Sequence, residues 1–348
     1  MAAAPLHPRA SYALQGLDAA VASFMEARAR GRLHHAWLLT GPEGMGKASF
    51  AYRAARRLLG ARPTTVGADD LASSPDDPVC RMVAAQSHPD LMVLERWSEA
   101  NPTRKSIPVD EARRLPEFFS KAPAIAAYRV AIIDAADDLN VNAANAVLKT
   151  LEEPSGRGAL FLVSHAPGRL LPTIRSRCRR LAFAPWPEQE LIRFIDEHLE
   201  LDADDAHRLA RMSRGAPGRA LSLAARGALD IDRQVEAILD RLPTTEGPEL
   251  LGLADSFRGS DGGARFNLLL ERIADRLQAG ALAQTEIGAL AAADRWSGAW
   301  DRLSRLPDQV EALNLDRADA FWSLMGDLRA VAAHHPLNTS DAAADADR

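Results

Sequence analysis

The spacing of apolar residues changes character about halfway along this chain. In the first half, short unbroken apolar runs alternate with stretches of helical period. Residues 36–40 (AWLLT), 91–95 (LMVLE), 129–134 (RVAIID) and 159–164 (ALFLVS) read as strands, and 180–183 (RLAF) as a last one. Hydrophobicity that runs on without alternating marks a parallel sheet covered by helices on both faces. Between the strands lie helical stretches at 17–30, closed by Gly31, and at 49–59, with Phe50, Ala54 and Leu58 on one face and arginines between. Others cover 79–85, 109–119, with Asp110 as N-cap and Pro116 as a bend, and 142–153, stopped by Pro154. A helical turn fits 170–176, and 60–78 and 99–106 read as loops. Strands alternating with helices give an α/β fold.

Beyond Pro185-Trp186-Pro187 the strands stop. Three short helices at 188–199, 205–214 and 217–226 form a small domain. Further helices follow at 231–242, 250–257, 264–279, 284–293, 297–306 and 318–334, with Trp296, Trp300 and Trp322 as core residues of a bundle. The implied division is 1–184, 185–228 and 229–337, with a small acidic tail, 338–348, expected to be disordered.

One stretch carries chemistry. Gly41-Pro42-Glu43-Gly44-Met45-Gly46-Lys47 reads G-x-x-x-x-G-K, with a strand before it and a helix behind it. Free backbone N–H groups and the helix dipole at such a junction favour a phosphate. The next residue should bear a hydroxyl for magnesium, but Ala48 stands there and the hydroxyl comes late, at Ser49. One helical step turns a side chain by about 100°, so Ser49 is no direct substitute. Asp134, at the carboxyl end of an apolar strand, is placed to face magnesium. Hydrolases of this kind follow that acid with a glutamate that polarises water; here Ala135 follows, and Asp137 and Asp138 miss the spacing. His34 and His35 precede the first strand, where packing competes with contact to a nucleotide base as their role.

Composition narrows the function classes. A net charge of −5 and a pI near 6.0 argue against a protein that coats nucleic acid, while allowing a local basic face. The two cysteines, Cys80 and Cys178, make neither a disulfide framework nor a zinc site of several thiolates. The start, MAAAPLHPRASYAL, lacks a signal-peptide pattern, and no apolar run has the length of a membrane span; a cytoplasmic location is expected.

Three further stretches carry a resemblance. Asn145-Ala146-Val147-Leu148-Lys149-Thr150-Leu151-Glu152-Glu153-Pro154 resembles the N-A-L-L-K-x-L-E-E-P block of bacterial clamp-loader AAA+ subunits. Ser176-Arg177-Cys178 looks like their S-R-C motif, and Gly215-Ala216-Pro217-Gly218-Arg219 resembles the start of their sensor-2 helix. The resemblance implies a RecA-like AAA+ domain, a three-helix lid and a helical collar. The altered nucleotide site points to the delta-prime branch, with an ATP-hydrolysing tau/gamma-like subunit as the alternative. The implied partners are tau/gamma and delta subunits in a hetero-pentameric ring, and through it a sliding clamp and primed DNA. Within the DNA polymerase III holoenzyme such a chain is itself neither polymerase nor active ATPase. Arg177 is then an arginine finger for the adjacent subunit's ATP. Gly41, Gly44, Gly46, Lys47, Ser49, Asp134 and Arg219 form a degenerate site still open to ATP or ADP with magnesium. Many relatives carry four cysteines where Cys80 alone stands, so zinc is not expected. Without the motif, Arg175, Arg177, Arg179 and Arg180 read equally as a solvated or DNA-facing basic patch.

Overall fold

The computed structural model describes the chain except for residues 1–6, 13–14, 65–70, 97–103, 105, 155, 243–246, 260–261 and 338–348. The acidic tail and parts of both long loops therefore lie outside the described residues. The chain divides into two compact units, Met1–Ala225 and Arg226–Arg348.

The first unit holds α1 (Asp18–Ala29), β1 (Ala36–Thr40), α2 (Lys47–Leu59), α3 (Pro78–Ala84), β2 (Leu91–Glu95), α4 (Val109–Ala112), α5 (Arg114–Ser120) and β3 (Arg129–Asp134). It continues with α6 (Val141–Glu152), β4 (Gly158–Ser164), α7 (Pro172–Arg177), β5 (Arg179–Ala182) and the lid helices α8 (Glu188–His198), α9 (Ala203–Ser213) and α10 (Pro217–Ala225). The strands pair in the order β2-β3-β4-β1-β5, all parallel. This is the RecA-like AAA+ architecture that the sequence leads one to expect.

The three inner strands β3, β4 and β1 supply both faces of the sheet. Trp37, Leu39, Val130, Ile132, Phe161 and Val163 pack under α1 and α2, where Phe24 lies edge-on to Trp37 at 5.3 Å. Ala36, Leu38, Ala131, Ile133, Leu160 and Leu162 pack under α6 and its neighbours, against Val147, Leu151 and Ile174. Successive strand residues point to opposite faces, so a strand buried on both must be apolar throughout.

Helix α1 ends as its sequence predicts: Gly31 takes φ +63°, and the N–H groups of Gly31 and Arg32 reach the carbonyls of Arg28 and Ala27. The helix expected over 109–119 is two pieces. It starts after Pro108, so Asp110 lies in the first turn and pairs with Arg113 at 3.1 Å instead of capping. Pro116 has no N–H for the Ala112 carbonyl, and the helix breaks at Arg113.

Helix α2 departs further from expectation, because its arginines are not a solvent face. Arg53 and Arg56 are buried. Arg53 Nε donates to the Leu71 carbonyl at 3.3 Å. Arg56 donates to the carbonyls of Ser11, at 2.8 Å, and Arg9, and its guanidinium lies 4.1 Å from the centre of the Tyr12 ring. The segment before α1 thus wraps the helix behind the glycine loop.

The second unit holds α11 (Ala228–Asp240), α12 (Gly247–Asp255), α13 (Gly262–Glu286), α14 (Leu290–Ala312) and α15 (Arg317–Ala332). The helix expected over 284–293 straddles a real break, where Gly288 takes φ +77° between α13 and α14. The one expected over 297–306 extends on through Pro307. Trp296 is fully buried and donates to the His335 carbonyl at 3.1 Å, whereas Trp300 is exposed and Trp322 half-buried. No helix among the described residues is long and apolar enough to cross a membrane.

Candidate functional site

Parallel pairing brings the carboxyl ends of the strands together. Thr40 lies in register with Ser164 and Ala182, and Glu95 with Asp134. Gly41 leaves β1 at φ +145°, and a Cβ there would lie 2.3 Å from the Phe183 carbonyl oxygen. Gly44 and Gly46 follow at φ +79° and +76°. Gly46 is the N-cap of α2 and no side chain bonds the first turn, which leaves its N–H groups directed into the loop. His34 and His35 stack at the opposite end of β1. The five residues of β1, about 16 Å in all, separate the pair from the glycine loop. His34 Nδ1 instead sits 2.8 Å from the Ala36 carbonyl oxygen, in line with the packing role.

Lys47 is buried and turned back on its own loop. Its Nζ donates to the carbonyls of Gly41, at 2.6 Å, and Pro42. Burial lowers its pKa to about 8, against the pull of Glu43, Asp134 and Asp137. Ser49 lies half-buried in the first turn of α2.

Asp134 is not alone at its strand end. Burial raises its pKa to about 6, and the neighbouring Glu95 adds to the rise. For Glu95, burial acts in the same sense, but hydrogen bonding with His7 and Gln86 outweighs it and holds the carboxyl below its ordinary value. Gln86 Nε2 donates to Glu95 at 3.0 Å, and His7 Nε2 stands 3.7 Å away. Two adjacent acids are thus pushed apart in acidity. Sequence reasoning gave Glu95 no role, although it ends an apolar strand just as Asp134 does.

The two aspartates nearest the place of the absent glutamate are otherwise occupied. Asp137 accepts from Ser164 Oγ at 2.8 Å and from the N–H groups of His165, at 2.5 Å, and Ala166, at 3.3 Å. Asp138 faces Arg96 at 3.6 Å.

The lid meets the loop through glycine on glycine. The Gly218 N–H donates to the Gly44 carbonyl at 2.8 Å. A Cβ on Gly44 would lie 2.5 Å from the Arg219 nitrogen, and one on Gly218 2.8 Å from the Gly44 oxygen. The backbone of Arg219 therefore stands over the loop, while its Nε donates to Met212 of the lid at 3.3 Å.

Arg177 stands apart from this group. It ends α7, where Nη1 donates to the Thr173 carbonyl at 3.1 Å and Nη2 pairs with Glu152 at 3.0 Å. Its neighbours divide the basic cluster. Arg179 lies over the Trp37 ring at 4.8 Å, and Arg180 Nε donates to Thr40 at 3.0 Å, so both are tied to β1. Cys178 is half-buried, and loss of solvent pushes its thiol up to about 12, which leaves it unreactive.

A family model described as DNA polymerase III, delta subunit, matches residues 16–187, from just before α1 to the N-cap of α8. DNA polymerase III subunit delta' of Pseudomonas aeruginosa is 38% identical over 206 residues, 58% of this chain and 59% of that protein. Its Escherichia coli counterpart is 34% identical over 193 residues, 56% and 55% of the two. Over the AAA+ part the chain is thus similar to the delta' subunits of DNA polymerase III. It spans little more than half the length of these delta' relatives. DNA polymerase III subunit tau of E. coli is 30% identical over 271 residues, 75% of this chain and 40% of that protein. The glycine loop, Asp134 and Arg177 all lie inside the family match; Arg219 lies beyond it.

Proposed function

We propose that this chain is a clamp-loader subunit that couples rather than hydrolyses. Its own nucleotide site lacks a hydroxyl at Ala48 and a carboxylate at Ala135, and Asp137 is committed to the turn after β4. Arg177 in its S-R-C setting is the group it offers to the ATP of the adjacent subunit. Phosphoryl transfer spreads negative charge over the γ-phosphoryl oxygens, and a forked, permanently charged guanidinium stabilises it, by roughly 10³–10⁵ in rate. The observation that carries this reading is the contrast between Lys47, folded onto its own loop, and Arg177, at a helix end where solvent reaches it. The expected partners are tau/gamma and delta subunits in a five-membered ring that loads a sliding clamp onto primed DNA. ATP or ADP with magnesium remains a candidate ligand of Gly41, Gly44, Gly46, Lys47, Ser49, Asp134 and Arg219. A place in the cytoplasm follows from the same role.

The test is reconstitution with tau/gamma and delta subunits. Arg177→Ala should assemble normally yet slow ATP hydrolysis by the complex at least tenfold; a normal rate rejects the finger. A second reading, a tau/gamma-like ATPase, draws on the retained Lys47 and Asp134 and on the likeness to tau. Magnesium-dependent turnover by the lone chain, abolished by Lys47→Ala, would favour it.

A further inference from the structure

The contact between Arg177 and Glu152 joins the last residues of two helices, α7 and α6. Both terminal nitrogens of Arg177 are engaged within the chain, one with the Thr173 carbonyl and one with Glu152. The carboxylate is oddly placed for the stability of α6. The C-terminal turn of a helix carries partial negative charge and favours a cation, yet Glu152 ends α6 and Glu153 follows it. The helix dipole thus gives no reason for an acid here. The pair is also open to water, with 37% of the Arg177 side chain and 52% of the Glu152 side chain exposed. An exposed ion pair is weak, so it opens easily and exchanges for a stronger partner.

We propose that Glu152 sheathes Arg177 in the resting subunit and gives it up to the nucleotide phosphates of the adjacent subunit. The proposal rests on Arg177 acting in trans. A nucleoside triphosphate carries several negative charges and outcompetes one carboxylate for the same guanidinium. Glu152 is accordingly a positioning residue: it holds the arginine against the ends of α6 and α7 when no phosphate faces it, and it competes mildly with that phosphate during turnover. Removing its charge should then make the finger more available, the reverse of what loss of a merely structural contact would do.

The experiment measures ATP hydrolysis against ATP concentration by the reconstituted complex, with clamp and primed DNA present. This subunit is supplied as wild type, Glu152→Gln, Glu152→Ala, Arg177→Ala and Arg177→Ala combined with Glu152→Gln. Glu152 is solvent-exposed at a helix end, so both single changes should fold, and assembly is checked by gel filtration. Glu152→Gln and Glu152→Ala should each raise kcat/KM about two- to five-fold, the range an exposed pair can supply. The rise should shrink as salt is added, and it should vanish in the Arg177→Ala background. If both Glu152 variants leave kcat/KM unchanged or lower it while Arg177→Ala is slow, the sheath is wrong and the finger stands. A rise that persists without Arg177 also overturns the sheath. Normal turnover by Arg177→Ala removes the finger and the sheath together.

Discussion

Gly218 donates its N–H to the carbonyl of Gly44, so the lid rests on the phosphate-type loop backbone to backbone. Neither position has room for a side chain: the nearest backbone atoms would stand 2.5 Å from a Cβ on Gly44 and 2.8 Å from one on Gly218. Gly218→Ala should cost about 1–3 kcal/mol, the usual range for overpacking. Gly44→Ala should cost more, since it adds strain at φ +79° to the clash. Urea unfolding measures both, and proteolysis near residues 214–218 should quicken in each.

Asp134 holds its proton more tightly folded than unfolded, at about 6 against an ordinary 3.8. The folded state therefore binds more protons between those values, and stability falls as pH rises through them. The penalty is complete above the folded value and absent below the unfolded one. Asp134→Asn should raise stability by about 1–3 kcal/mol near pH 7.5 and leave it little changed near pH 3.5. Denaturant titrations of the magnesium-free protein at the two pH values check this.

Asp90 shows the opposite sign. Its carboxylate is buried, which by itself would raise the pKa, but the N–H groups of Ile125, Ala124 and Ala126, followed by Arg129, hold it below the ordinary value. Its contribution is present above the unfolded pKa near 3.8 and is lost as pH falls through the folded one. Asp90→Ala should cost about 3–5 kcal/mol at neutral pH, as for a buried pair robbed of one partner. Thermal melts should show the variant missing part of the acid-induced drop seen in the wild type.

Arg56 ties the segment before α1 to α2 through two backbone carbonyls and the face of Tyr12. Arg56→Lys keeps the charge but loses the fork, and should destabilise by about 2–3 kcal/mol. Protease cutting between residues 7 and 12 should rise along with it; full resistance would show that the segment is held by something else.

Strands β1, β3 and β4 were legible because both their faces are buried, and such strands advertise themselves as unbroken apolar runs. The loop at Gly41–Lys47 was legible because its residue types are dictated by backbone geometry at the start of α2. Arg53 and Arg56 were not: spaced charges on a helix look like a solvent face, and the carbonyls that satisfy Arg56 come from Arg9 and Ser11, far away in sequence. Glu95 was missed because nothing local distinguishes it; its meaning lies in its register with Asp134. In the second unit, Gly288 and Pro307 misled in opposite directions, one breaking a helix that looked continuous and the other lying inside a helix that looked finished.

The side-by-side endings of β1, β2, β3 and β4 have a consequence for how such a protein can change. Each strand contributes its last side chain beyond the apolar layers, so chemistry is assembled at a rim that the core does not depend on. Exchanges like those at Ala48 and Ala135 can accumulate there while the packing beneath persists. If the proposed role holds, the same scaffold can keep its fold while serving a neighbour's chemistry instead of its own.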